Sequence, residues 1–260
     1  MKTLLRERKN IKNLLLIAII FSACSIAQPR SKDAIVNYDT VINDHFIIDT
    51  RFIDHGMKHT TSIYVLDASL DRRIDRLEDG LKNKRNSTNY NIIGIGHTRF
   101  SNALRKRDFA PPDDTSFFGM DARFQGHADQ FLTFIIDSIV LKYDSFATKR
   151  ILIGHSFGGI FSVYVSTLAS QPFDEIHALS PALWVNHRSF AKHYAATDSL
   201  YIRTPLHISY GSLEQLNLIA PSIQHFRSNL KKHDKSMVTI QSIKGKTHFS
   251  IMKELPNFTF

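Results

Sequence analysis

Hydrophobic and polar positions follow two different periods along most of the chain. Short runs rich in β-branched and aromatic residues predict strands, and stretches with apolar residues three or four positions apart predict helices. The predicted strands are 45–53, 61–66, 90–95, 150–153, 175–179, 205–210 and 237–243. The predicted helices are 71–85, 127–143, 157–170 and 214–232, the first of them charged and exposed. Segment 97–124, with Pro111 and Pro112, is predicted to be an irregular loop.

The alternation of strands and helices predicts the fold class. Strands that alternate with helices over most of a chain form a mostly parallel sheet with helices on both faces. Crossovers in such sheets are right-handed, and binding sites form beyond the carboxyl ends of the strands. We therefore expect an α/β fold of this kind, with its chemistry in the segments that directly follow the strands.

The N-terminal segment has the pattern of a secretory signal. Residues 2–12 are basic, and 14–23 form an apolar run that is too short to cross a bilayer as a helix. A lipoprotein-type signal would be cleaved before Cys24, whose lipidation would anchor the chain to a membrane, and an ordinary signal would be cleaved after Ala27. An uncleaved anchor is a third alternative. Each reading predicts an exported protein, in the periplasm or as an outer-membrane lipoprotein of a bacterium.

Composition narrows the classes that remain. The 260 residues include one cysteine, which excludes a disulfide framework and a cysteine-based zinc cluster. The formal net charge is +9, of which residues 1–27 carry +4, so residues 28–260 carry 9 − 4 = +5. This weak and diffuse charge argues against a nucleic-acid partner. We expect 1–27 to be a signal peptide and 28–260 to be a single domain.

One motif carries clear chemistry. The pattern Gly-x-Ser-x-Gly occupies 154–158, between predicted strand 150–153 and predicted helix 157–170. In a nucleophile elbow the serine, here Ser156, sits on a strained strand-to-helix turn, and the helix N-terminus favours a developing negative charge. The backbone N–H of Phe157 is then one oxyanion donor. The alternative is a glycine-rich structural turn with a bystander serine.

A serine hydroxyl becomes a good nucleophile only when a base takes its proton. The chain has 13 histidines, and their positions relative to the predicted strands indicate which one is the base. In folds with this elbow the acid and then the histidine follow the serine along the chain. His248 follows predicted strand 237–243 and is the expected base. His225 and His233 are expected to be surface residues, and His155 is expected to pack beside the serine.

The expected acid is Glu214, which follows predicted strand 205–210. Its alternative role is that of a helix N-terminal glutamate favoured by the dipole. Asp198 is a weaker rival, and Asp174 and Glu175 precede a strand, which is the wrong end. A serine–histidine pair without an essential acid also stays open.

The second oxyanion donor is expected after predicted strand 61–66, as the N–H of Ala68 or Ser69. The chain has no His-Glu-x-x-His and no Gly-x-Gly-x-x-Gly after a strand. Zinc-protease and dinucleotide-binding classes are therefore not expected, and the chemistry needs no metal and no organic cofactor.

Several of these segments together are similar to one known family. The segments are Tyr64-Val65-Leu66-Asp67-Ala68, Arg105 to Pro111, Phe131-Leu132, 154–159, Ser180-Pro181-Ala182-Leu183-Trp184, Gly211 to Glu214, and His248. They resemble the esterase branch of the α/β-hydrolases, which includes esterase D and the ferric-enterobactin esterases. The resemblance covers most of 45–255. Ala68 departs from it, because the family usually has glycine at that position.

The resemblance implies a single α/β-hydrolase domain that hydrolyses small-molecule carboxyl esters through an acyl-enzyme on Ser156. Siderophore, acyl and carbohydrate esters are the implied substrates. Trp184 is a candidate for lining the pocket, with core packing as the alternative, and Arg105 in 97–124 is a candidate substrate contact, with a solvated loop as the alternative. Two rival functions are an acyltransferase of the same fold and a catalytically silent binding lipoprotein. The oligomeric state is left open.

Overall fold

A computed structural model describes residues 37–42, 45–53, 60–70, 72–82, 89–99, 101–112, 126–216 and 218–257. The strands are β1 (Asn37–Ile42), β2 (Phe46–Ile53), β3 (Thr60–Leu66), β4 (Asn89–His97), β5 (Lys149–His155), β6 (Glu175–Leu179), β7 (Leu206–Gly211) and β8 (Val238–Ile243). The α-helices are α1 (Arg73–Lys82), α2 (Asn102–Phe109), α3 (Ala128–Phe134), α4 (Phe157–Val165), α5 (Val185–Ala196) and α6 (Ile219–Ser228). A π-helix (Ile135–Val140) and a last turn (Leu141–Tyr143) continue α3, and 3₁₀ helices span Ser212–Leu216, Lys232–Ser236 and Ser250–Asn257.

Within the described residues, eight strands form one sheet in the order β1-β2-β4-β3-β5-β6-β7-β8. The six strands from β4 to β8 are parallel, and β1 and β2 join antiparallel at one edge. The carboxyl ends of β3, β5, β6 and β7 therefore open at the same edge of the sheet. The predicted α/β class with a mostly parallel sheet is confirmed.

Both faces of the central strands are covered, as expected for strands rich in apolar residues, whereas the edge strand β8 exposes Thr239, Gln241 and Ser242. Alternate residues of β3 point to opposite faces: Tyr64 and Leu66 belong to one buried cluster, and Ile63 and Val65 to the other. The first cluster includes Phe161 and the other apolar residues of α2 to α6 that face the sheet. The second includes residues of α1 and of the C-terminal 3₁₀ helix.

The structure confirms all seven predicted strands to within a few residues and corrects three other expectations. Strand β1 was not predicted; among the described strands it lies at the edge of the sheet, next to β2. The segment 97–124 contains α2, which the pattern missed because its buried face includes the charged side chains of Arg105 and Asp108 as well as Phe109. Helix α1 was expected to be exposed, yet it buries Arg73 and four other residues.

Three expectations lie outside the described residues: the signal at 1–27, the lipidation of Cys24 and the structure of 113–125. Within the described ranges, the helices are all too short or too polar to cross a membrane.

Candidate active site

The turn at Ser156 joins β5 to α4 in a conformation that few residues other than glycine adopt. Ser156 has φ 58° and ψ −112°, and sparsely populated backbone conformations of this kind cost on the order of 1–3 kcal/mol. Neighbouring segments hold the turn, because the Ser156 N–H donates to the Leu179 carbonyl at 3.0 Å and the Ser156 carbonyl accepts from the Ala182 N–H at 2.9 Å. A Cβ at Gly154 would lie 2.1 Å from the Gly158 carbonyl oxygen, so position 154 requires glycine.

Three side chains from distant parts of the sequence meet at this turn. His248 Nε2 lies 3.1 Å from Ser156 Oγ, and His248 Nδ1 lies 3.3 Å from Glu214 Oε2. This is the arrangement in which a carboxylate orients a histidine that can take the proton of a serine. The structure thus brings together the three residues that the sequence singled out as nucleophile, base and acid.

Fixed donors hold the carboxylate of Glu214, which is 1% exposed. Its Oε1 accepts from the Gly211 N–H at 2.8 Å and from Ser180 Oγ at 2.7 Å. Both donors are neutral groups, so neither brings a positive charge to the carboxylate. Oε2 is left to face the histidine.

His155, directly before the nucleophile, supports the backbone of His248. A guanidinium can only donate, so His155 Nδ1 accepts from Arg73 Nη2 at 3.2 Å. His155 Nε2–H therefore donates to the His248 carbonyl at 2.8 Å. Burial, followed by the nearby His248 and Arg73, holds the pKa of His155 well below its ordinary value, so this ring is neutral. The two histidine rings pack with centroids 4.6 Å apart.

The expected oxyanion donor Ala68 is wrong, since its N–H is used within the fold. It donates to the Ile95 carbonyl at 3.1 Å and so extends the pairing of β3 with β4. The alternative, Ser69, is exposed, and within the described residues its N–H donates no hydrogen bond. The other expected donor, Phe157, is the first residue of α4, where amides point out of the helix end.

Arg105 does not lie where a substrate contact was expected. Its side chain is 8% exposed and grips Asp67 with two hydrogen bonds, Nε to Oδ1 at 2.8 Å and Nη2 to Oδ2 at 2.6 Å. Its guanidinium carbon also lies 5.3 Å from the ring centroid of Phe157. Arg105 thus connects the turn after β3 to the start of α4. Its predicted role as a substrate contact is therefore corrected to a structural one.

Asp67 is the counterpart of this buried pair and sequence reasoning missed it as a site residue. Its φ is 55°, a left-handed value at the turn after β3. Burial would raise the pKa of its carboxyl, but the paired Arg105 outweighs burial and the pKa lies below its ordinary value. Arg73 Nη1 lies 3.7 Å from the same carboxylate. Asp67 therefore links Arg105 to Arg73, the residue that donates a hydrogen bond to His155.

Ser180 and Arg73 were also missed as site residues, for different reasons. Ser180 lies in the Ser-Pro-Ala-Leu-Trp stretch directly after β6, so its position was a usable signal. Arg73 stands among the charged residues of a helix that looked solvated, and no pattern distinguished it. Only the fold shows that its side chain is 2% exposed.

Trp184 precedes α5 and is partly buried against the larger apolar cluster. The hydrogen bond from the Ala182 N–H to Ser156 brings the segment just before it to the nucleophile. This position is compatible with both roles considered for Trp184, and pocket lining stays a prediction.

The rival histidines and acids lie elsewhere. His225 is on α6, and the side chain of His233 is 58% exposed beside Asp234. Asp174 and Glu175 lie at the amino end of β6, away from the turn at Ser156. Asp198 lies beyond α5, where its carbonyl faces Lys231.

Comparison with known proteins adds a sequence relative. No family model matches the chain. A siderophore enterobactin esterase from Emericella nidulans is 28% identical over 185 residues, which are 62% of this chain and 61% of that protein. The match therefore spans less than two thirds of the relative's length.

Solved structures show the fold. The siderophore hydrolase EstB from Aspergillus nidulans is similar with a TM-score of 0.67 at 18% identity, over 89% of this chain and 94% of that one. The BES protein from Bacillus cereus is similar with a TM-score of 0.63 at 18% identity, over 91% and 99% of the two chains. The fold is that of the α/β-hydrolases, and the predicted resemblance to the esterase branch is confirmed.

Proposed function

We propose that the chain hydrolyses carboxyl esters through an acyl-enzyme on Ser156. The observation that carries this proposal is the hydrogen-bonded line from Glu214 through His248 to Ser156 Oγ, with distances of 3.3 and 3.1 Å. The line ends on a strained turn at the start of a helix, which is where a nucleophile gains from the helix dipole and from backbone donors.

In the first half of the reaction, Ser156 Oγ attacks the ester carbonyl carbon while His248 Nε2 takes the hydroxyl proton. The tetrahedral oxyanion accepts hydrogen bonds from the N–H groups of Phe157 and Ser69. When the intermediate collapses, the bond from carbon to the alkoxy oxygen breaks. His248 then gives its proton to the leaving alcohol, and the acyl group stays on Ser156.

In the second half, water replaces the alcohol. His248 takes a proton from the water as its oxygen attacks the acyl carbon, and the serine ester bond breaks with return of the proton to Ser156 Oγ. The free acid leaves, and no electrons are transferred to any other group. Glu214 acts in both halves by fixing the ring of His248 and by stabilising its charged form.

Two buried groups position this machinery without contacting the substrate. His155, polarised by Arg73, holds the backbone of His248. Arg105, through Asp67, holds the turn that carries Ser69 against α4. We assign both as positioning residues.

For the substrate we propose a siderophore ester, because the sequence relative and the structural neighbours from Aspergillus nidulans are named for siderophore hydrolysis. Trp184 would line the pocket for it. Acyl and carbohydrate esters are the alternatives, and the same experiment separates them. We also propose that the protein is exported by the signal at residues 1–27, with Cys24 or Ala27 as the cleavage point.

The test measures turnover of enterobactin and of acyl and carbohydrate esters by the full chain, followed by liquid chromatography with mass detection. We expect each enterobactin product to have gained one water per broken ester bond. Ser156→Ala should lose at least about 10⁴-fold in rate, as for other serine nucleophiles.

Three outcomes would contradict parts of the proposal. Turnover of only the other esters would remove the siderophore assignment. Products that appear only when an acceptor alcohol is added would indicate an acyltransferase. Equal binding of enterobactin by wild type and Ser156→Ala, with no product from any ester, would indicate a silent binding protein.

A further inference from the structure

A second cluster of chemically active side chains lies at the amino end of the sheet, away from Ser156. Glu175 and His177 are two residues apart on β6 and so point to the same face. His207 on β7 stands directly beside His177 in the parallel register. One ligand atom from each of these residues lies within 4.8 Å of the other two.

The three side chains converge on one oxygen atom. His177 Nε2 lies 2.7 Å and His207 Nε2 lies 3.6 Å from the same Oε1 of Glu175. Around a tetrahedral zinc ion, bonds of about 2.0–2.2 Å place neighbouring ligand atoms about 3.3 Å apart. The two separations from Glu175 Oε1 lie on both sides of that value, and the two histidine nitrogens lie within 4.8 Å of each other, so shifts of about 1 Å in the side chains would complete such a site.

Neighbouring residues hold the carboxylate of Glu175 in place and leave the cluster accessible to an ion from solvent. Lys149 Nζ binds Oε2 of Glu175 at 2.6 Å, which leaves Oε1 for the histidines. Ligating carboxylates in metal sites commonly have an outer partner of this kind. The side chain of His207 is 38% exposed, and Thr239, its neighbour on β8, is also exposed. Solvent can therefore reach the cluster and supply a further ligand.

An ordinary ion pair would explain only part of this geometry. The contact between Glu175 and His177 satisfies one ring and one oxygen. It gives no reason for His207 to stack on His177 with centroids 4.8 Å apart and to direct its Nε2 at the same oxygen. Two imidazoles and one carboxylate are a frequent ligand set of zinc.

We propose that Glu175, His177 and His207 bind one divalent ion that favours nitrogen ligands, namely Zn²⁺, with Co²⁺ as its spectroscopic substitute and water completing a four-coordinate shell. The site joins the adjacent strands β6 and β7 near their amino ends, and the catalytic turn lies at the carboxyl ends of the strands. Its effect is therefore on stability, and it does not depend on the proposed hydrolysis.

The experiment uses the full chain without a histidine tag, after treatment with a chelator. Titration with ZnCl₂ in a calorimeter measures stoichiometry and affinity, and Co²⁺ absorption reports the coordination geometry. We expect one equivalent to bind, with tetrahedral Co²⁺ bands, and Zn²⁺ to raise Tm. His207→Ala and Glu175→Gln should each weaken binding by at least about 10-fold, and Zn²⁺ should no longer raise their Tm.

The matched control is His193→Ala, which removes an exposed histidine from α5 and should leave binding unchanged. Zinc binding that survives in both His207→Ala and Glu175→Gln would overturn the proposal. So would binding that is lost in His248→Ala, because the ion would then occupy the catalytic turn. The absence of any saturable binding would overturn it as well.

Discussion

At the carboxyl end of the sheet, His248 lies 3.3 Å from Glu214, and at the amino end His177 lies 2.7 Å from Glu175. The residue types are the same and the shorter contact is at the amino end. The difference lies in what else each pair touches. His248 also contacts Ser156 on a strained turn, whereas Glu175 is shared with a second histidine and with Lys149.

The partners of each carboxylate decide what its charge can do. Glu214 is held by the neutral N–H of Gly211 and the hydroxyl of Ser180, so its charge is available to a protonated His248. Glu175 is already paired with the ammonium of Lys149. A histidine–glutamate contact is therefore not by itself a sign of acid–base catalysis. Its role depends on the third residue that the pair contacts and on whether a cation already neutralises the glutamate.

Exchanging each carboxylate for an amide is the sharpest test of this difference. Glu214→Gln should lower kcat by about 10³-fold, because the amide favours the wrong tautomer of His248 and cannot stabilise its charged form. Glu175→Gln should leave kcat within about twofold, as for a substitution away from the site. Initial rates on one ester measure both. Equal losses in the two variants would mean that neither glutamate has a specific role in catalysis.

The hydrogen bond from His155 to the His248 carbonyl predicts a smaller effect on kcat. His155→Phe removes the donor to the His248 carbonyl, and we expect kcat to fall about 10-fold with KM unchanged, because small displacements of a base are costly. His155→Gln keeps an N–H donor and should recover most of the rate, although both variants lower Tm. A parallel rise in KM, or no recovery with glutamine, would reduce His155 to a packing residue.

The smallest expected effect is on the pH dependence of stability, and it comes from Glu175 at the amino end of the sheet. His177, opposed by burial and helped by Lys149, lowers the pKa of Glu175 to about 2. A depressed pKa contributes stability above the unfolded value of about 4.5, and that stability is lost as pH falls towards about 2. After allowance for solvent screening the contribution is about 1 kcal/mol.

The measurement is the Tm of wild type and of Glu175→Gln in chelator, at about pH 6 and about pH 3.5. We expect the variant to melt lower at the higher pH and the gap to narrow at the lower pH. A gap of constant size at both pH values would show that ionisation of Glu175 does not contribute.

The residues that define the reaction could be predicted from the sequence because each follows a segment whose residue pattern predicts a strand, from the apolar β5 to the alternating β7 and β8. Ser156, Glu214 and His248 depend on local pattern and chain order, and parallel strands bring their carboxyl ends together. The residues that hold the reaction in place could not be predicted in this way. Arg73 and Asp67 are charged groups buried by tertiary pairing, and a charged side chain in a sequence is normally evidence for exposure.

Both corrections at the site come from contacts between segments that are distant in the sequence. Arg105 was a candidate substrate contact because 97–124, with its two prolines, was predicted to be an irregular loop, yet Asp67 compensates its charge inside the fold. Ala68 was assigned as an oxyanion donor from its place after β3. Whether a backbone N–H is already used depends on strand register, here the pairing of β3 with β4, and register is not visible in the pattern of one strand.

The most direct test of the central claim is to treat the full chain with a fluorophosphonate probe and to locate the adduct by mass spectrometry. The proposed triad predicts a single adduct on Ser156 that is lost in His248→Ala and retained in His177→Ala, since only the carboxyl-end histidine activates the serine. No adduct on folded protein, or an adduct that persists in His248→Ala, would contradict it.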